Sequence, residues 1–165
     1  MMRSASATTF VLAVGAILAG GCSPQPGPAP AAAAAEPYRP GFGEIMSLQQ
    51  MRHTKLWFAG QAGNWDLASY ELDELGEGFD DVARFYPTHK ESRVSPKDVL
   101  PKMATLALEA LKKAVDKKDR AEFERAYDEL TTGCNTCHQA MNFAFNRVQR
   151  PASNPYPNQL FDPAR

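Results

Sequence analysis

Three residues near the C-terminus have the types and spacing of a covalent cofactor site. Cys134 and Cys137 are separated by two residues, and His138 directly follows the second cysteine. Two thiols at this spacing can add to the two vinyl groups of one porphyrin, and the adjacent imidazole can bind its iron. A Cys-x-x-Cys-His sequence is the signature of c-type haem attachment. We therefore predict one covalent haem c on Cys134 and Cys137, with His138 as the proximal iron ligand.

Two other chemistries use cysteines at this spacing. A thioredoxin-like redox pair normally lies within a βαβ pattern, and no such pattern surrounds this motif. A structural zinc site needs four ligands, and the sequence has no second Cys/His pair to complete one. Haem attachment is the interpretation that these observations favour.

A helix can present all three motif side chains on one face. Cys134 lies three residues from Cys137 and four from His138, which is the spacing of neighbours on a helix surface. Apolar residues continue this stripe, so we expect a last helix that starts at an Asp119 cap and closes at Pro151, with the porphyrin inside the edge of the core. The apolar positions are Phe123, Ala126, Tyr127, Leu130, Met141, Phe145 and Val148.

Three further amphipathic segments precede this helix, and no strand signal is present. They cover residues 44–60, residues 65–86 with Asn64 as the N-cap, and a third segment that starts at Pro96 or Pro101. The connection at residues 117–119 is short, which favours antiparallel neighbours. The predicted fold class is all-α, an up-down-up-down four-helix bundle with one covalently attached haem c over residues 44–150.

The N-terminus has the features of bacterial export. Residues 1–21 combine one positive residue, Arg3, with an apolar stretch too short to span a bilayer, which is typical of a signal peptide. The sequence Leu-Ala-Gly-Gly-Cys that ends at Cys22 resembles a bacterial lipobox, in which the cysteine is lipidated. The alternative is ordinary cleavage nearby, which leaves Cys22 as a free thiol. We predict a lipid-anchored, periplasm-facing protein.

The composition of the whole chain fits one globular domain with additional length. The chain has 165 residues, of which 44% are hydrophobic and 22% charged, with a formal net charge of −1. No basic excess points to nucleic acid. Residues 22–43 are rich in proline and alanine and are predicted to be a linker, and residues 151–165 are predicted to be an irregular proline-rich tail.

A Cys-x-x-Cys-His motif on the last of four helices resembles the class II cytochromes c, the cytochrome c-prime type. The resemblance covers residues 44–150 at the level of helix order, and the haem motif carries its specificity. It implies that the middle of the first helix, near His53, supplies the group on the distal side of the iron. It also makes a homodimer through the first two helices plausible, with Gly76 and Gly78 allowing close approach.

His53 is therefore expected to ligate the iron or to line the distal pocket. It shares a helical stripe with Met46 and Trp57. The alternative is a histidine at the helix surface or one satisfied by a buried partner, and a shift in register would place Met46, Gln49 or Gln50 over the iron instead. Trp57 and Phe145 are candidates for packing against the haem, with ordinary core packing as the alternative. The other histidine, His89, is expected to be exposed in a polar loop.

Two function classes follow from these expectations. The first is an exported mono-haem electron carrier with a six-coordinate iron, which serves a redox partner protein. The second is a five-coordinate haem protein that binds or sequesters nitric oxide or carbon monoxide. A catalytic role is disfavoured because no distal acid–base pair is evident. We predict the electron carrier.

Overall fold

A computed structural model describes residues 37–89, 92 and 94–164 of the chain. The predicted signal peptide and most of the predicted linker, including Cys22, lie outside the described residues. Within these ranges the chain is all-helical, with four helical segments and no strand. This confirms the all-α class.

The helices are close to the predicted ones in number and position. They are α1 (Phe42–Ala62), α2 (Trp65–Phe85), α3 (Pro96–Leu100), a π-helical turn (Pro101–Thr105) that joins α3 to α4 (Leu106–Asp116), and α5 (Arg120–Ala140). Helix α1 packs on α2 and α5, and α4 packs on the same two helices. The buried apolar residues of these helices form one large core cluster, and Ile45, Val82 and Leu100 form a second, smaller one.

The start of α2 and the start of α5 confirm the predicted caps. The Asn64 side chain accepts a hydrogen bond from the Leu67 N–H at 3.2 Å, and the Asp119 side chain accepts one from the Glu122 N–H at 3.1 Å. Each cap satisfies a backbone donor that the first helical turn leaves without a partner. Helix α1 extends two residues beyond the predicted end near Gly60, and its left-handed cap is Gly63, with φ of 72°.

Two glycines inside the helices allow close packing rather than ending a helix. A Cβ on Gly60 would lie 2.2 Å from the Phe123 ring of α5, and a Cβ on Gly78 would lie 2.2 Å from Gln49 Oε1 of α1. The close approach at Gly78 is thus made within the chain, between α1 and α2. Gly76 has nothing within 4 Å of its Cβ position. The homodimer stays a prediction.

The third segment starts at Pro96 and passes through Pro101 instead of beginning there. Proline lacks the N–H that would donate to the carbonyl four residues earlier, and its ring crowds that carbonyl. The chain responds with the π-helical turn Pro101–Thr105, which keeps the segment helical as far as Asp116. This turn brings Met103 and Ala104 against α5 beside the motif.

The last helix ends at Ala140, so the prediction that it continues to Pro151 is wrong. Asn142 adopts a left-handed conformation with φ of 66°. The Phe143 N–H then donates to the His138 carbonyl at 2.7 Å, and the Asn142 N–H to the Gln139 carbonyl at 3.2 Å. This pair of bonds is a Schellman motif, which satisfies the last carbonyls of α5 and turns the chain back.

The residues after α5 are irregular, as predicted for the tail. Phe161 is buried, at 9% exposure, and packs on Phe58 of α1 with ring centroids 5.4 Å apart. Leu160 beside it is exposed. Phe161 in the core and the half-buried Tyr156 packed against it therefore join the tail to the helices.

Candidate functional site

The motif side chains open onto an apolar cavity between α1, α2, the π-helical turn and α5. The cavity has about 670 Å³ of empty space, counting the part that opens to solvent. Cys134, Cys137 and His138 all line it. Its apolar walls include Met46, Leu75, Phe79, Leu100, Met103, Ala104 and Val148, and its polar wall residues are Gln49, Gln50, His53 and Asn146.

A second cavity, of about 560 Å³ on the same measure, adjoins the first along the motif. The two share Cys137, His138 and Asn146 as wall residues, together with Met46 and Leu100. The second cysteine and the histidine thus stand between two apolar spaces.

His138 is held in one tautomer. Its Nδ1 lies 2.5 Å from the Asn146 carbonyl oxygen, and since a carbonyl only accepts, Nδ1 carries the proton. The neutral ring then has its lone pair on Nε2. A histidine that binds a metal through one nitrogen commonly donates its other N–H to a backbone carbonyl in this way.

Both motif cysteines are free thiols. Burial, with a smaller contribution from Cys137, raises the pKa of Cys134 to about 12, and burial also raises the pKa of Cys137. The two lie in the last two turns of α5, where the negative end of the helix dipole also opposes a thiolate. A reactive redox pair has the opposite arrangement, with a lowered pKa at a helix N-terminus. The site therefore does not have the electrostatics of a thioredoxin-like pair.

His53 lies on the cavity wall as a buried residue, at 5% exposure, with both ring nitrogens hydrogen-bonded. The Thr131 hydroxyl donates to the Tyr127 carbonyl at 2.8 Å, so it accepts from His53 Nε2–H at 2.9 Å. The Tyr127 hydroxyl in turn lies 2.8 Å from His53 Nδ1 and 2.9 Å from the His53 carbonyl oxygen, so its one proton is shared between these two acceptors. Burial lowers the pKa of His53 to about 4, which keeps the ring neutral.

The stripe on α1 is brought to the cavity in part. Met46, Gln50 and His53 line it, whereas Trp57 does not. Trp57 packs in the core against Tyr127, with ring centroids 4.9 Å apart, and beneath the Arg150 guanidinium at 4.5 Å. This matches the core-packing alternative for Trp57.

Phe145 is not in the site. It lies beyond the end of α5 at 82% exposure, and its nearest ring partner is Phe143. The prediction placed it on the cavity face only by continuing the last helix past Ala140.

The expectation that His89 is exposed is wrong. That ring is half-buried, with its centroid 4.7 Å from that of Phe42.

Sequence reasoning missed the segment that covers the motif after the chain turns back. We call residues 146–150 the return segment. Its Val148 exchanges two hydrogen bonds with the Asn135 side chain, each 2.9 Å long, and its Arg150 forms a bidentate pair with Asp128 at 2.6 and 2.7 Å. An asparagine inside the motif and a paired arginine after it were the available signals, but neither specifies a partner in the sequence.

Comparison with known proteins gave no match to a protein-family model, a curated protein or a solved structure. Within the described ranges, no helix is long and apolar enough to cross a membrane. The same residues contain no group of three or more His, Cys, Asp or Glu side chains that could hold a metal ion.

Proposed function

We propose that the protein is a mono-haem c-type cytochrome that carries electrons. One observation carries the proposal: two thiols and a tautomer-fixed imidazole open together onto an apolar cavity. A porphyrin itself supplies four iron ligands, so the protein needs to add only one or two. The residues present fit such a group, because the thiols can anchor it, His138 can ligate its iron and apolar walls can enclose it. When bound, haem supplies an iron that gains and loses a single electron.

The wall residues support electron transfer over catalysis. A catalytic haem site requires a side chain that can exchange a proton with a bound substrate. The ionisable side chain that α1 contributes to the wall, His53, is held neutral and engaged with Tyr127 and Thr131. An apolar enclosure that exchanges no proton suits a centre that only changes oxidation state.

Two thioethers favour the six-coordinate form. Met46 on α1 and Met103 on the π-helical turn both line the cavity, and methionine is the sixth ligand in many cytochromes c. His53 is better suited to line the distal side than to ligate. Binding iron through Nε2 would break its bond to Thr131, and binding through Nδ1 would break the one from Tyr127.

A second candidate function is the capture of a diatomic gas such as nitric oxide or carbon monoxide. The occupied nitrogens of His53 favour it, because an iron that receives no methionine would then have an open position facing apolar walls. The resemblance to cytochrome c-prime points the same way.

A spectrum of the matured protein separates the two functions. For the electron carrier we expect a low-spin spectrum that carbon monoxide changes little. Met46→Leu or Met103→Leu should convert it to a high-spin spectrum. The matched variant Met141→Leu should not, because Met141 lines the second cavity and not the first. A high-spin native spectrum with rapid carbon monoxide binding would instead establish the gas-binding function.

The proposal includes the arrangement and location of the bundle. Residues 63–64 join α1 to α2 and residues 117–119 join α4 to α5, and connections this short favour antiparallel neighbours in an up-down-up-down bundle. The protein would be exported, with its cytochrome bundle held near a bacterial membrane by lipid on Cys22 and facing a redox partner protein in the periplasm.

A further inference from the structure

A residue between the two cysteines fastens the return segment to α5. Asn135 Nδ2 donates to the Val148 carbonyl, and Asn135 Oδ1 accepts from the Val148 N–H, both at 2.9 Å. Two bonds from one planar amide to both polar groups of one residue fix its position and its rotation. Side chains rarely satisfy a backbone residue so completely, and here the residue belongs to the cavity wall.

The same segment carries the oxygen that orients His138. Asn146, which accepts from His138 Nδ1 at 2.5 Å, is separated from Val148 by only one residue. Consecutive Cα atoms are about 3.8 Å apart, so the contact at Val148 limits how far the Asn146 carbonyl can move. Asn135 and His138 are three residues apart on α5, which places both contacts on neighbouring parts of one helix surface.

The other attachment of the return segment is less able to control this oxygen. The Arg150–Asp128 pair lies four residues beyond Asn146, and both side chains are more than one-third exposed. Exposed ion pairs contribute little and are weakened by salt. The Asn146 N–H also donates to the Phe143 carbonyl at 2.8 Å, within the turn that follows α5. Of the side-chain attachments between the return segment and α5, the amide of Asn135 is therefore nearer in sequence to the His138 contact than the Arg150–Asp128 pair.

We propose that Asn135 is a positioning residue for His138, acting through Val148 and Asn146. It holds the Asn146 carbonyl where it accepts a hydrogen bond from His138 Nδ1–H, and so sets the tautomer and orientation of the imidazole. A hydrogen bond from Nδ1–H would make the Nε2 lone pair a stronger electron donor to a bound iron. This would favour the oxidised iron and so lower its reduction potential. The redox consequence rests on the proposed haem function, whereas the effect on the imidazole does not.

The test compares three variants of Asn135 with one control variant in the same motif. Asn135→Leu and the smaller Asn135→Ala remove both bonds to Val148, and Asn135→Gln keeps the amide. Thr136→Ala is the control, because the Thr136 hydroxyl bonds only to the Thr132 carbonyl of its own helix. The readouts are the midpoint potential and the iron–histidine stretching frequency of five-coordinate reduced haem, which a short laser pulse generates from the six-coordinate protein by detaching its sixth ligand.

We expect covalent haem in every variant. Asn135→Leu and Asn135→Ala should raise the potential and lower the stretching frequency, Asn135→Gln should recover part of both shifts, and Thr136→Ala should match the unmodified protein. If the leucine variant does not fold, the alanine variant carries the comparison. Unchanged potential and frequency in a folded variant without the amide would overturn the proposal.

A protein that matures without haem would refute the proposed function and leave the positioning role open to a separate measurement. The ¹⁵N resonances of His138 report which ring nitrogen is protonated. We expect the Nδ1–H tautomer in the unmodified chain and in Thr136→Ala, and a mixture of tautomers in Asn135→Ala. The same single tautomer in Asn135→Ala would overturn the positioning role.

Discussion

At the level of single residues, the neutral form of His53 depends on two hydroxyl groups. The Thr131 hydroxyl accepts a hydrogen bond from His53 Nε2–H, and the hydroxyl of the fully buried Tyr127 donates to His53 Nδ1. Neither nitrogen is left without a partner in an apolar surrounding, where an unsatisfied polar atom costs about 1–3 kcal/mol. The network joins α1 to α5 directly behind the cavity wall.

Removing the Tyr127 hydroxyl should reduce stability. Tyr127→Phe leaves His53 Nδ1 buried without a donor, so we expect the free energy of unfolding to fall by about 1–3 kcal/mol. Tyr70→Phe is the matched control, since Tyr70 is 57% exposed, and it should change stability by less than about 0.5 kcal/mol. Denaturant titration of both variants measures the difference, and equal stabilities would show that the network contributes nothing.

Burial of His53 also predicts a pH dependence. Its pKa is about 4 when folded and 6.5 as the ordinary value, so between these values the unfolded chain binds a proton that the folded chain does not. The free energy of unfolding should therefore decrease as the pH falls from 6.5 to 4, by up to about 3 kcal/mol from this residue. The effect is fully absent above pH 6.5.

His53→Gln provides the comparison for this pH dependence, because it keeps a polar side chain and cannot titrate. Chemical denaturation at several pH values should show a smaller slope for the variant between pH 4 and 6.5. Identical slopes for the two proteins would mean that His53 is not held neutral by the fold.

At the level of elements, the site depends on how closely α5 approaches the π-helical turn. A Cβ on Gly133, directly before Cys134, would lie 2.0 Å from the Met103 carbonyl oxygen. Backbone atoms cannot give way as a flexible side chain can, so only glycine fits there. The wider turn that Pro101 imposes brings this carbonyl to the motif.

Gly133→Ala should therefore destabilise the fold and disturb the motif. We expect a loss of about 1–3 kcal/mol from overpacking. Gly76→Ala is the control within α2, because its Cβ position is open, and it should increase stability by up to about 1 kcal/mol through helix propensity. Thermal unfolding of the two variants checks this, and a stable Gly133→Ala protein would contradict the close approach.

The sequence predicted the elements better than their ends. Periodicity located four helical segments, and the caps at Asn64 and Asp119 were correct because each bonds locally. The end of α5 was missed because the stripe continues to Val148, while the turn at Asn142 depends on a left-handed conformation that periodicity does not register. The start of the third segment was left open between Pro96 and Pro101, because a proline can distort a helix from within as well as begin one.

The candidate site was predictable where it follows helical spacing. His53 and Met46 reach the cavity from their stripe on α1, and the three motif residues line the same cavity from α5. Trp57 sits one turn further along and turns into the core. The contacts of Asn135 and His138 with the return segment join residues across a turn, and no local pattern specifies them.

At the level of the whole molecule, the chain combines a packed helical domain with a long N-terminal sequence that is predicted to carry export and anchoring signals. The described part, residues 37–164 apart from residues 90, 91 and 93, contains the complete candidate site. The predicted anchor would hold this site near a membrane while the linker gives it reach.

Cys22→Ala should release the protein from the membrane. The protein without this substitution is expected in the membrane fraction. Detergent should extract it and salt should not, because the several acyl chains of a bacterial lipoprotein hold it by apolar burial and not by charge. The variant should appear in the soluble periplasmic fraction, and the neighbouring Ser23→Ala should not. Membrane association that survives loss of Cys22 would rule against the lipid anchor.

The central claim is that Cys134 and Cys137 hold one haem, with His138 on its iron. The most direct measurement is the intact mass of the protein produced with the bacterial haem-attachment machinery, together with its pyridine haemochrome spectrum. We predict a mass that exceeds that of the double variant Cys134→Ala/Cys137→Ala by one haem, after allowance for the two substitutions, and a c-type haemochrome that the double variant lacks. A folded protein whose mass differs from that of the double variant by the two substitutions alone would contradict the account.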